Sequence, residues 1–275
     1  YFSVHPAIEN EPEAVFIMKT SVDVKTNADA KRQAGLDFAR TVFVTSEKPG
    51  IPLTHKIALK PNGILGKAES PYPEGYLMGA HTDPWFVEGV IEGMKPLGLQ
   101  GNSFYIRDSS NDLKMFEENG YLDMSNRTGA NVTGNANVNN DQETIHWVDI
   151  PDGIIHRRLP YLWPYNAPET FLLNIAKFKS HGMGLTLCCK NIQGMIAPPY
   201  QGFCGGFNGI LGRCSAKTIN KKYKKVVESN FRRHLKKGYP RWDKPGDHYN
   251  CGIGMETWVT RTLDNMSVSP MGLCV

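Results

Sequence analysis

Most of the short motifs that would name a chemistry are missing from this chain of 275 residues. None of its six cysteines forms Cys-x-x-C, so neither a zinc ribbon nor a ferredoxin cluster is written in it. Gly-x-Gly-x-x-Gly, Gly-x-x-x-x-Gly-Lys-Ser/Thr, Gly-x-Ser-x-Gly and His-Glu-x-x-His are absent too. Their absence removes the ordinary support for dinucleotide, P-loop, serine-hydrolase and zinc-protease readings. No apolar run reaches membrane-spanning length, and a mean hydropathy of −0.38 agrees with a soluble chain. Charge is scarce in sum, with 31 Lys and Arg against 27 Asp and Glu, so composition does not point to nucleic acid.

What is present is Gly- and Pro-punctuated alternation, with 27 Gly and 18 Pro. Ala14-Val-Phe-Ile-Met18 reads as a buried strand, and Asn27 caps a helix over 27–44 carrying Ala30, Ala34, Phe38 and Val42 on one face. A strand over 55–60 stops at Pro61-Asn62-Gly63. Thr82 or Asp83 caps a helix over 83–97 with Pro84 in its first turn and Val87, Val90, Ile91 and Met94 as its stripe. Strand 103–107, helix 112–119, strands 145–150, 153–156 and 171–176, and a short buried helix over 185–192 continue the series, with 125–144 as an exposed loop. A helix over 255–266 and an apolar strand from Met271 close it. The rhythm predicts an α/β domain built on a mostly parallel sheet flanked by helices, with segments 14–18, 55–60, 103–107 and 171–176 sharing that sheet.

Charge is segregated along the chain. Between Arg213 and Lys244 stand 12 Lys or Arg against Glu228 and Asp243, a local net charge of +10 that leaves −6 elsewhere. The chain therefore divides into an α/β core over 1–201, a long Gly-rich and basic insertion over 202–250, and a return to the core over 251–275. Tyr1 at one end and Met271-Gly-Leu-Cys-Val275 at the other read as a portion of a longer polypeptide. Cys188 and Cys189 sit in an apolar run as small core fillers, while Cys204, Cys214 and Cys251 are the candidates for pairing or metal.

Candidate chemistry gathers at strand ends. Lys177, Lys179 and His181 follow the strand 171–176, and period-two alternation puts them on one face, ahead of Gly182-Met183-Gly184 and then Lys190-Asn191. Ligands of open α/β sheets bind at carboxyl ends of strands. Cations there suit phosphate, carboxylate or an anionic cofactor; the plain alternative is a set of solvated lysines and a loop histidine. Lys60, Asn62 and His81 belong to the same predicted rim, as does Asp108-Ser109-Ser110.

Lys60-Pro61-Asn62, Thr82-Asp83-Pro84, and Lys177-x-Lys179-x-His181 running into Thr186-Leu-x-x-Lys190-Asn191-x-x-Gly194 resemble the domain of unknown function 362 family. The similarity spans about residues 14–275. It implies an α/β fold and a rim of Lys60, Asn62, Lys177, Lys179, His181, Lys190 and Asn191, without a reaction and without an assigned metal. Family members sometimes join iron–sulfur modules, but the cysteine run such a cluster needs is not in this sequence, so the cofactor stays open. Export to a bacterial periplasm or cell envelope is a further implication, with cytoplasm as the alternative. Two functions follow as expectations: a domain that binds a small anion, or a non-catalytic accessory subunit whose basic segment docks an acidic protein partner or redox assembly. Nucleic acid binding through Lys217–Lys244 is disfavoured, because the aromatics there fall on the predicted buried stripe instead of interleaving with the charges.

Overall fold

The computed structural model describes residues 1–47, 49–63, 79–139, 141–181, 184–198, 200 and 252–275, together with 225, 229, 232 and 236. The chain begins with β1 (Phe2–Val4), a short helix α1 (Pro6–Glu9), the long α2 (Ala28–Val42) and β2 (Phe43–Thr45), which returns antiparallel to β1. The Asn27 side chain accepts from the Ala30 amide at 3.0 Å, which is why α2 starts where the sequence places it. The central strand β3 (Lys56–Pro61) leads to α3 (Pro84–Met94), capped by Asp83 accepting from the Trp85 amide at 3.0 Å. Then come β4 (Phe104–Ile106), α4 (Leu113–Glu118), α5 (Tyr121–Thr128) and β5 (Asn131–Val132).

A ribbon of β6 (Ile145–Asp149) and β7 (Arg158–Leu162) follows, then β8 (Thr170–Ile175), the hairpin β9 (Lys179–His181) with β10 (Gly184–Thr186), and α6 (Cys188–Asn191). Helix α7 (Gly252–Val268) and β11 (Met271–Cys274) complete the described elements. Five strands form one sheet in the order β11-β8-β3-β4-β5, every neighbouring pair parallel. Both faces are covered, as an all-parallel sheet requires. Ile57, Leu59, Phe171, Leu173 and Ile175 point into a core with α2, α3 and α5, whereas Ala58 and Leu172 join a second core with β7 and the segment after α6.

Helices α2 and α3 touch backbone to backbone. A Cβ built on Gly89 would lie 1.9 Å from the Arg32 carbonyl oxygen, and one on Gly35 2.1 Å from that of Phe86. Only glycine fits at that crossing.

The structure confirms the α/β class and three of the four strands expected in the sheet, and it corrects several local readings. Residues 14–18 form no strand: Val15 and Ile17 are 87% and 92% exposed, and β11 occupies the sheet edge beside β8. An apolar run alone does not supply a hydrogen-bonding neighbour. The strand expected at 153–156 lies at 158–162, where Pro160 faces Trp147 in an isolated two-stranded ribbon that tolerates proline. The span 125–144 is not wholly a loop. Tyr121, Met124 and Thr128 bury one side of α5, and β5 adds a fifth strand. Gly120, at φ +80°, turns the chain between α4 and α5.

The first part of the expected helix 185–192 is strand β10, leaving a helix of four residues. Cys188 is half-buried and Cys189 exposed, so neither is a core filler. In the described second half of α7 the apolar Val259 and Leu263 are exposed, and the buried residues are the polar Arg261, Thr262, Asp264 and Asn265. The Asp264 carboxylate accepts from the amides of Ile154, Ile155 and His156 at 2.7, 2.7 and 2.9 Å, which makes that burial tenable. Of the basic segment the structure describes Lys225, Ser229, Arg232 and Lys236, each helical and exposed. Tyr223, Val227, Phe231, the loop from 64 to 78 and the cysteines at 204, 214 and 251 lie outside the described residues. Among the described residues no helix is long and apolar enough to cross a membrane.

Candidate functional site

Because β3, β4 and β8 run parallel, their carboxyl ends meet at one edge, where the chain carries Lys60 to Gly63, Arg107 to Ser109 and Ile175 to Lys179. Alternation turns Lys60 away from the α2–α3 core and toward α6. Lys60 is fully buried there, and its ammonium is bonded to the Asp108 carboxylate and the Pro61 carbonyl, with Asn191 Oδ1 at 3.4 Å. Burial pushes the Lys60 pKa down; Asp108 opposes that shift, and Lys190 adds to it.

Asn191 closes the pair from above. Its amide nitrogen donates to the Lys60 carbonyl at 3.0 Å and to Asn174 Oδ1 at 2.8 Å. Asn174 in turn donates to the Cys188 carbonyl at 3.0 Å. Gly194 presses so closely that an added Cβ would stand 2.6 Å from both Lys60 Nζ and Asp108 Oδ2. The spacing Lys190-Asn191-x-x-Gly194 thus serves as the cover over a buried ion pair.

A second brace ties the end of β3 to that of β8 through Thr82, just ahead of α3. The Thr82 hydroxyl donates to the Ile175 carbonyl at 2.7 Å and accepts from the Asn62 amide at 2.8 Å. The Tyr121 hydroxyl donates to the Thr82 carbonyl at 2.9 Å. His81 is buried, its Nδ1 2.9 Å from the Thr82 carbonyl. Desolvation is the main cause of its lowered pKa; the Thr82 carbonyl and Asp83 oppose the shift, and the charges of Lys177 and Lys179 add to it.

The remaining rim residues are lysines. Lys179, half-buried, hydrogen-bonds the Ala80 carbonyl, and its pKa is lowered to about 8 by desolvation, then by Lys190 and Lys177, with Asp108 in partial opposition. Lys177 is lowered as well, chiefly by burial, with Asp83 opposing and Lys25 and Lys31 adding to the effect. A cavity of about 310 Å³ opens here, lined among others by Lys25, Lys31, Lys177, Thr82 and Asp83. Lys31 and Asp83 are paired at 2.5 Å.

The structure therefore brings Lys179 within electrostatic reach of both Lys177 and Lys190. It seats Lys60 beneath them and uses Asn191 as the cover of the buried pair. Asn62 is buried beside them, its Oδ1 without a hydrogen-bond partner among the described residues. His181 lies in β9, and its side chain is outside the described residues. The hairpin β9–β10, rather than a continuous strand, carries Lys179. Sequence reasoning set Asp108 on the rim without pairing it to Lys60, and it passed over Asn174 and the close approach of Gly194. Among the described residues no group of three or more His, Cys, Asp or Glu is arranged to hold a metal ion.

One pH dependence follows. Between about pH 8 and the ordinary lysine value of 10.5, the unfolded chain keeps a proton on Lys179 that the folded protein has shed. Lys179 should therefore make the anion-free protein more stable as pH rises through that window. Urea melts at pH 7.5, 8.5 and 9.5 on the parent and Lys179→Met check this, since the variant should lose that part of the pH dependence.

A family model described as Domain of unknown function (DUF362) matches residues 57–237, which take in β3, β4, β8, the β9–β10 hairpin and α6. No curated protein matches the sequence.

Proposed function

We propose, for a chain that belongs to the family described as Domain of unknown function (DUF362), that the carboxyl ends of its parallel strands receive a small anion. Phosphate, a small carboxylate and an anionic cofactor share the required chemistry. The observation that carries this reading is the placement of half-buried Lys179 within reach of the half-buried Lys177 and Lys190, near a floor where Lys60 is already neutralised by Asp108. Ammonium groups held together lose solvation and repel, and a bound anion removes both penalties. Buried hydroxyls add donors: Thr186 Oγ1, opposite Lys179 in the hairpin, and Ser109 Oγ have no hydrogen-bond partner among the described residues.

Anion binding would raise the Lys179 pKa above its free value of about 8. Affinity is then full below about pH 8 and falls as pH rises through the pKa of the bound form. Calorimetry with inorganic phosphate and with acetate tests the reading. Lys179→Ala, and Lys177→Ala with it, should weaken binding at least tenfold, the order expected for losing a charge-assisted contact of about 1.5–3 kcal/mol. His181→Ala adds the hairpin histidine to the series. Unchanged binding in these variants, or none in the parent at millimolar anion, would overturn it.

A second reading has its own observation: Lys225, Arg232 and Lys236 are helical and exposed, spaced so that they share a side of the helix. This fits docking to an acidic protein partner, as an accessory subunit would require. Loss of phosphate binding with retention of a salt-sensitive acidic partner would favour it.

A further inference from the structure

Three cysteines that the anion reading does not use lie where α6 meets the sheet. Cys274 in β11 is the register partner of Asn174 in β8, so the two side chains project to the same face. The Asn174 side chain reaches α6, donating to the Cys188 carbonyl and accepting from Asn191. Cys274 therefore faces α6 as well, on the side of the sheet where Cys188 lies. The Cys188 sulfur also lies 3.6 Å from the carbonyl oxygens of Asn174 and Val275. Cys274 and Cys189, the residue after Cys188 in the helix, are exposed, and the three thiols are free.

We propose that Cys188 and Cys274 are a reversible thiol–disulfide site, oxidised by a low-molecular-weight disulfide. The Cys188 sulfur sits over Asn174 and Val275, the register partner and the chain neighbour of Cys274, so closure to a bond of about 2.05 Å needs an approach of α6 to β11. The Cys188 thiolate attacks the small disulfide, forming a mixed disulfide and expelling one small thiolate. Cys274 then loses its proton to solvent, attacks the Cys188 sulfur and expels the second small thiolate. Two protein thiols are oxidised and one small disulfide is reduced to two thiols.

The electrostatics order the steps. The interaction with Cys274, followed by contacts to the Val275 and Ala176 backbone, holds the Cys188 thiol below its usual value against the effect of burial. Cys274 is held well above its usual value by its interaction with the Cys188 sulfur and by partial desolvation. Once Cys188 carries a mixed disulfide, its negative charge is gone and Cys274 is released to ionise. The bridge would fix the start of α6, and Asn174 links Cys188 to Asn191 over the Lys60–Asp108 pair.

The test uses the full chain, reduced, then titrated with glutathione disulfide, alkylated with maleimide and mapped by peptide mass. The expected product joins Cys188 to Cys274, leaves Cys189 alkylatable, and reverts with dithiothreitol. Its Tm should rise, because the bond closes a long loop in the unfolded chain. Cys189→Ser should still form the bridge, and Cys274→Ser should stop at a mixed disulfide on Cys188. Alkylation of Cys188 and Cys274 at every oxidant ratio, or a bridge from Cys188 to Cys189, Cys204, Cys214 or Cys251, would overturn the proposal. The parent map decides even if a variant misfolds. None of these readouts depends on phosphate, so failure here is distinct from failure of the anion site.

Discussion

Replacing Asp108 by Ala is expected to destabilise the protein by about 3–5 kcal/mol, the range for removing one member of a buried ion pair. Lys60 has no exposure to solvent, and its other acceptors, the Pro61 carbonyl and Asn191 Oδ1, carry no charge. The carboxylate also accepts from the amides of Ser110 at 2.8 Å and Gly63 at 3.3 Å, so both turns at the edge lose an anchor. Desolvation already holds the Lys60 pKa down, and without Asp108 it falls further. The unfolded chain then holds a proton that the folded protein does not, so the variant's deficit should shrink as pH rises toward 10. Urea denaturation at pH 7 and pH 9.5 measures both effects. The double variant Lys60→Met, Asp108→Leu should recover a large part of the loss, because an apolar pair of similar size leaves no buried charge. A loss below 1 kcal/mol for Asp108→Ala, or none recovered in the double variant, would remove the pair from the centre of the fold.

The second large effect is at the helix crossing. In the interior of a helix, Gly→Ala ordinarily adds up to about 1 kcal/mol of stability. At Gly89 the sign should reverse. The new methyl would meet the Arg32 carbonyl oxygen at 1.9 Å and the Leu36 nitrogen at 2.7 Å, both backbone atoms that cannot rotate aside. Helices α2 and α3 must then part, opening the core that Val87, Val90, Ile91 and Met94 share with Ala39 and Val42. A net loss of roughly 3 kcal/mol, the upper range for overpacking, is expected in thermal or urea melts. Glu92→Ala on the same helix is the control and should stay within about 0.5 kcal/mol. If Gly89→Ala matches or exceeds the parent in stability, the close approach is not a constraint.

The parallel sheet was legible because its strands are short, apolar and separated by well-capped helices. Asn27 and Asp83 are helix starts in the sequence and in the structure alike. Segment 14–18 misled because hydrophobicity reports what a residue avoids and says nothing about which strand will pair with it; β11, from the far end of the chain, holds that edge. Helix α7 misled for the opposite reason. In its described second half the buried Asp264 and Asn265 are satisfied by amides and side chains about 100 positions away, and no periodicity count can weigh such partners. At the site the lysines were visible as a cluster of like charges. That Lys60 is the buried member depends on the alternation within β3 and on Asp108, and their meeting becomes apparent only when the strands are set side by side.

The strand order also bears on how the chain assembles. Strand β3 ends at Pro61, and its neighbour β8 begins only at Thr170, with β4, β5 and the β6–β7 ribbon made in between. The β3–α3–β4 unit closes over a short stretch and includes the α3 side of the glycine crossing, so local contacts can organise it early. Pairing β8 against β3 must close a loop of more than a hundred residues before any ladder bond rewards it, and such non-local pairings slow folding. Until then the open flank of β3 is an unpaired edge, the kind of surface through which unfinished chains stick to one another. The Lys60 ammonium also lacks its cover during that interval, because Asn191 and Gly194 follow β8 in the chain. The late arrival of β8 therefore favours an order in which the charged centre is sealed only once β8 has reached the flank of β3.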